Sequence, residues 1–194
     1  MRAGCKQGSR RVWYARRALM CPNTPPVPRR RSASVGTMLE IERVSWRRPS
    51  YVVSDNGAHV GMWTRLRFKE TVTGKIDGEF YELRRDGRRR FILVSQGVEL
   101  ARAEAARRGR WAIRVDDATY DLRRESPWRS GMDLYQGEST VGTVRRGRAP
   151  RGRALCDLPG EMSPPVRAFI GFLVLLLWDR AASSSGAAAV AAGG

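Results

Sequence analysis

Val166-Arg167-Ala168-Phe169-Ile170-Gly171-Phe172-Leu173-Val174-Leu175-Leu176-Leu177-Trp178 is the stretch that decides the fold. Apart from Arg167 and Gly171 every position is apolar. A helix with no polar face must be surrounded on all sides, by lipid or by protein. Ser163 is placed to cap it, and Pro164-Pro165 suit its first positions, where no hydrogen-bond donor is lost. Thirteen residues at about 1.5 Å rise cover about 20 Å, short of the ~30 Å hydrocarbon core of a bilayer. Asp179 and Arg180 block a clean extension. The expectation is a buried helix from about 165 to 180, with a single transmembrane helix over 166–178 as the alternative.

The chain before it supplies what could surround it. From residue 38 to about 156 the apolar positions recur with period two, the strand signal. Leu66 and Phe68 alternate with Arg65, Arg67 and Lys69. Trp111, Ile113 and Val115 alternate with Arg110, Ala112 and Arg114, and Tyr120 and Leu122 with Thr119, Asp121 and Arg123. Turn signals fall between such runs at Asp55-Asn56-Gly57, Asp86-Gly87, Arg108-Gly109, Asp116-Asp117, Gln136-Gly137 and Arg146-Gly147. No GxGxxG, P-loop or βαβ alternation is present. The fold class is therefore all-β with one helix: a closed antiparallel β-barrel of about twelve strands around a central hydrophobic C-terminal helix. A barrel that wide has an axial space, and an all-round apolar helix fills it.

Three stretches carry a family resemblance: Gly78-Glu79-Phe80-Tyr81-Glu82-Leu83-Arg84-Arg85-Asp86-Gly87, Arg108-Gly109-Arg110-Trp111, and Asp157-Leu158-Pro159 leading into the helix. Residues 38–182 resemble bacterial members of the tubby C-terminal-like superfamily, close to the LURP-one-related proteins. That resemblance implies a roughly twelve-stranded barrel around a hydrophobic C-terminal helix. It also points to phospholipid, since the superfamily includes phospholipid scramblases and the phosphoinositide binder tubby. No lipid-contact motif of those relatives is recognisable in this chain, so no binding residue is carried over.

The 194 residues suit one domain, and 36 Lys+Arg against 19 Asp+Glu give +17 at pH 7. Such a balance favours anionic partners, nucleic acid or an anionic membrane surface. Nine basic residues and no acid lie in residues 1–37, leaving +8 for residues 38–194. Residues 1–37, with Pro25-Pro26-Val27-Pro28, read as a disordered basic leader, and Met38 as a candidate true start. Residues 183–194 read as a disordered tail. Only three of the basic residues are lysines, a bias that GC-rich coding alone produces.

Candidate sites are few. His59 follows a turn, where an ordinary exposed or half-buried His is expected, and Cys156 reads as a small buried hydrophobe. Asp55 and Asp116-Asp117 lack the spacing of a calcium loop and read as turn residues. Ser126-Pro127-Trp128-Arg129 reads as a turn with an aromatic anchor. One His and three Cys argue against a zinc site, and no catalytic or cofactor motif is found. Arg84, Arg85, Arg88, Arg89 and Arg90 flank the expected hairpin tip Asp86-Gly87, as candidate phosphate or lipid-headgroup ligands. Arg145, Arg146, Arg148, Arg151 and Arg153 form a second cluster. The expected function is non-catalytic, cytoplasmic and peripheral at a membrane, binding anionic phospholipid. Nonspecific nucleic-acid binding is the alternative.

Overall fold

The computed structural model describes residues 37–45, 49–66, 70–107, 109–124, 131–147 and 152–191. In chain order the strands are β1 (Thr37–Ser45), β2 (Ser50–Asp55), β3 (Ala58–Arg65), β4 (Val72–Ile76), β5 (Glu79–Arg85), β6 (Arg90–Ser95), β7 (Val98–Arg107), β8 (Arg110–Val115), β9 (Ala118–Arg124), β10 (Met132–Gln136), β11 (Ser139–Arg146) and β12 (Arg153–Leu158), followed by one helix, α1 (Pro164–Ala191). Each strand pairs antiparallel with the next, and β1 closes on β12 with Leu39 opposite Cys156 and Ile41 opposite Ala154. The result is a closed twelve-stranded up-and-down barrel. Closure leaves no free sheet edge.

Alternation puts one set of side chains inside. Trp111, Ile113, Tyr120 and Leu122 are all buried, as their period requires. The interior is completed by α1, whose residues from Val166 to Leu176 are buried throughout. Phe172 meets Tyr51 edge-on at 5.2 Å and stacks on Trp63 at 5.0 Å, tying the helix to β2 and β3. Gly171 marks the closest approach to the wall: a Cβ there would stand 2.6 Å from Ile41 Cδ1 and 2.7 Å from Cys156 Sγ. Only a residue without a side chain lets the helix lie against β1 and β12. Ser163 stands at the N-cap position, its carbonyl accepting the first bonds of the helix from the Val166 and Arg167 amides.

An up-and-down barrel sends alternate connections to opposite ends. At one end lie tight two-residue turns: Asn56-Gly57, Asp77-Gly78 and Gln96-Gly97 have positive φ at both positions, the geometry that suits twisted hairpins. α1 enters at this end. Its turns carry Asp77, Asp116, Asp117 and Glu138, with Glu161 before the helix. The opposite end, where α1 leaves, carries Arg88, Arg89, Arg107 and Arg124 together with Glu70, Asp86 and Asp179.

Three expectations need correction. Leu66 does not extend a strand: β3 stops at Arg65, and Leu66 is exposed, its amide bonded to the Thr71 carbonyl at 2.9 Å. Phe68 lies outside the described residues. The helix continues past 180 to Ala191, through residues expected to be a tail, because alanine-rich sequence favours helix after burial ends. β1 begins at Thr37, one residue earlier than the expected domain start. Residues 1–36 and Ser126-Pro127-Trp128-Arg129 lie outside the described residues. Among the described residues no helix is long and apolar enough to cross a membrane.

Candidate functional site

The β5–β6 connection holds the predicted arginines, and the structure divides them. Arg84 is exposed on β5, opposite Ile92 of β6. Arg85 turns back on its own connection, donating to the carbonyls of Gly87 at 2.7 Å and Arg88 at 2.8 Å and to Glu70 at 2.8 Å. It braces the loop rather than facing a ligand. Arg90 is paired with Asp86 and lies 3.9 Å from Glu104. Arg88 and Arg89 are exposed and form no ion pair among the described residues.

These two share the rim of a cavity with residues remote in sequence. Arg107 from the end of β7 and Arg124 from the end of β9 complete it, also exposed and unpaired among the described residues. The cavity holds about 370 Å³, and among the described residues its lining contains no carboxylate. Below the rim the walls are apolar: Ala105, Trp111 and Met132 from the barrel, Leu177 and Trp178 from α1. Trp111, Met132 and Trp178 are almost wholly buried, and Leu177 is half-buried. A cationic rim thus stands over an aromatic and aliphatic floor.

Arg180, the fifth arginine of the lining, is held in place. Its Nε and Nη2 donate to the two oxygens of Glu70 at 2.7 and 2.5 Å, and its guanidinium lies 5.3 Å over the Phe91 ring. Glu70 therefore receives both Arg180 and Arg85. Hydrogen bonding from Arg180 holds its carboxyl below the usual range, against the upward push of burial. Arg65 pairs with Asp179 at 2.8 Å beside it. This network locks the exit of α1 to the barrel mouth and fixes the cavity wall that α1 supplies.

Arg107 and Arg124 were not singled out from the sequence. A signal existed: in a meander every second connection shares an end, so Arg88-Arg89, Arg107 and Arg124 had to gather there. Of the second arginine cluster, Arg146 lies 5.7 Å over the Trp178 ring, Arg153 is paired with Glu40, Arg145 is exposed, and Arg148 and Arg151 lie outside the described residues.

The remaining candidates fall elsewhere. His59 is exposed on β3, in a shallow cleft shared with outward-facing Met62 and Phe80. Cys156 is fully buried against α1, and burial pushes its thiol up to about 12. Asp55 is the ion-pair partner of buried Arg167, a role the sequence did not suggest. Asp116 and Asp117 edge a cleft at the tight-turn end with Glu161 and Val166. Among the described residues no three His, Cys, Asp or Glu side chains converge as a metal site would require. Compared with known proteins, the chain matches no family model, no curated protein and no solved structure.

Proposed function

We propose that the protein is a non-catalytic binding module that docks its arginine-bearing barrel end on anionic phospholipid. The observation that carries this is the rim itself: Arg88, Arg89, Arg107 and Arg124 are exposed, gathered round one cavity and, among the described residues, unpaired and with no carboxylate in the lining. Unpaired guanidinium groups suit phosphate oxygens, which they meet bidentately. Each basic residue near an anionic bilayer contributes about 1 kcal/mol, so four give weak, reversible association. The opposite, acid-bearing end orients the molecule by repulsion. The barrel does not itself argue for lipid, because folds host unrelated functions. The resemblance to the tubby C-terminal-like superfamily supports the same reading and a cytoplasmic, inner-leaflet setting.

Vesicle co-sedimentation tests it. The full chain is expected to bind phosphatidylserine-containing vesicles, to ignore phosphatidylcholine alone, and to release as salt rises. Replacing Arg88, Arg89, Arg107 and Arg124 together by Ala should abolish binding, whereas Arg84→Ala should leave it intact. Equal binding to neutral vesicles would overturn the assignment. Retention on duplex DNA at matched salt, with no vesicle binding, would transfer the same arginines to nucleic acid.

A further inference from the structure

We infer that the cavity under the arginine rim takes the aliphatic chain of a single anionic amphiphile, its phosphate or carboxylate head held at the rim. This rests on the reading of that end as a lipid-facing surface, and goes further by assigning a ligand to the space beneath it. A surface that merely reads bilayer charge needs no hollow behind its arginines. A site for a bare phosphate would be walled by donors. Here the lining includes two tryptophans, a methionine, a leucine and an alanine.

Size and rigidity agree with that ligand. About 370 Å³ lies within the range of small-molecule sites, which are mostly apolar with a few orienting polar groups. Met132 is unbranched and polarizable, so it can follow a flexible chain. The walls are held from behind: Phe91 packs on Trp111 with ring centroids 5.8 Å apart, and Glu70 with Arg180 anchors the α1 side. Arg107 and Arg124 stand at the ends of their strands, where a head group leaving the cavity would meet them. The chemical class is a single-chain anionic lipid, a lysophospholipid or fatty acid, whose two parts match the two parts of the site.

The test uses the full chain and four monomeric probes in calorimetry: dodecyl phosphate, dodecanoate, inorganic phosphate and dodecyltrimethylammonium. Dodecyl phosphate should bind one to one, on the order of a hundredfold tighter than inorganic phosphate, the effect of burying a few methylenes. Dodecanoate binding alongside it would assign the head site to anions in general, and its failure to bind would restrict the head to phosphate. Dodecyltrimethylammonium should not bind. Ala105→Leu narrows the cavity without removing an arginine, and should weaken dodecyl phosphate binding while phosphatidylserine vesicles still bind. A dodecanoate brominated at its chain end provides a readout on the unmodified protein, quenching tryptophan emission if the chain lies between Trp111 and Trp178. If dodecanoate does not bind, a chain-end-brominated dodecyl phosphate takes its place. Equal affinity for inorganic and dodecyl phosphate, or absence of quenching by a bound brominated probe, would overturn the chain assignment and leave the vesicle reading standing. Dodecyl phosphate binding without vesicle binding would overturn the membrane reading alone.

Discussion

Asp55 holds Arg167 by both carboxylate oxygens, Nη1 at 3.1 Å from Oδ1 and Nη2 at 2.7 Å from Oδ2, across 112 residues of chain. The guanidinium is 4% exposed, and its Nε donates to the Met162 carbonyl at 3.1 Å. The charge in the middle of an apolar run is therefore an anchor: it fastens the first turns of α1 to the end of β2. A buried cation is tolerable only while its partner remains.

Removing the partner should be worse than removing the cation. Asp55→Ala removes the carboxylate that both Nη atoms meet and should lower stability by about 3–5 kcal/mol. Arg167→Met keeps volume and strands only Asp55, which is nearer to solvent at 16% exposure. Urea melts of both variants are expected to show the larger loss for Asp55→Ala. The reverse order would mean that the pair is not the anchor.

Acid should loosen the other end of the helix. Hydrogen bonding from Arg180 depresses the Glu70 carboxyl from its ordinary 4.5, so folding favours the ionised form. The contribution is complete above that value and drains as pH falls through the lower folded value. Both partners are partly exposed, which keeps the effect to about 1 kcal/mol or less at low salt. Glu70→Gln should flatten this part of the stability curve between pH 5 and 2 while leaving its neutral and alkaline parts parallel to wild type. Thermal melts across that window check it.

Helix-to-wall spacing gives a third test. Gly171→Ala forces a methyl group onto Ile41 Cδ1 and Cys156 Sγ and should cost about 1–3 kcal/mol by overpacking. Ile41→Val removes one of the two obstructing atoms, so the double variant should recover part of the loss. Simple additivity of the two single effects would show that the contact is not shared.

Much of this architecture was readable because it rests on local periodicity. Trp111 with Ile113 and Tyr120 with Leu122 announce an inner face by alternation, and the 166–178 run announces a buried axis by lacking a polar side. Where alternation misled, at Leu66, the strand ended because the chain turned back through Thr71, which depends on a partner strand. The helix end was missed for a related reason: apolar content marks where burial stops, not where helix stops. The Asp77-Gly78 and Gln96-Gly97 turns were legible and overlooked. The site was half legible. Arg88 and Arg89 are sequence neighbours, but Arg107 and Arg124 join them only through barrel closure. Pairing then withdraws Arg85 and Arg90, a discrimination that needs the positions of Glu70, Asp86 and Glu104.

Cys156 offers a further check on the dry interior. With its thiol pushed up to about 12 by burial and no exposed surface, it should resist alkylation at neutral pH until the barrel unfolds. Mass mapping of labelled peptides under native conditions should find Cys156 unmodified. Labelling at the rate of a free thiol would show that the helix leaves its seat.

The order of elements along the chain also has a consequence in time. β12 closes the wall at Leu158, yet the residues that occupy the interior begin only at Pro164. At about 5–20 residues per second, a ribosome makes every strand before the helix that fills them. Until α1 docks, Leu39, Trp63, Phe91 and Ile113 lack the packing that buries them in the complete barrel. A chain truncated before α1 should therefore aggregate more readily than the full chain, although it carries every strand.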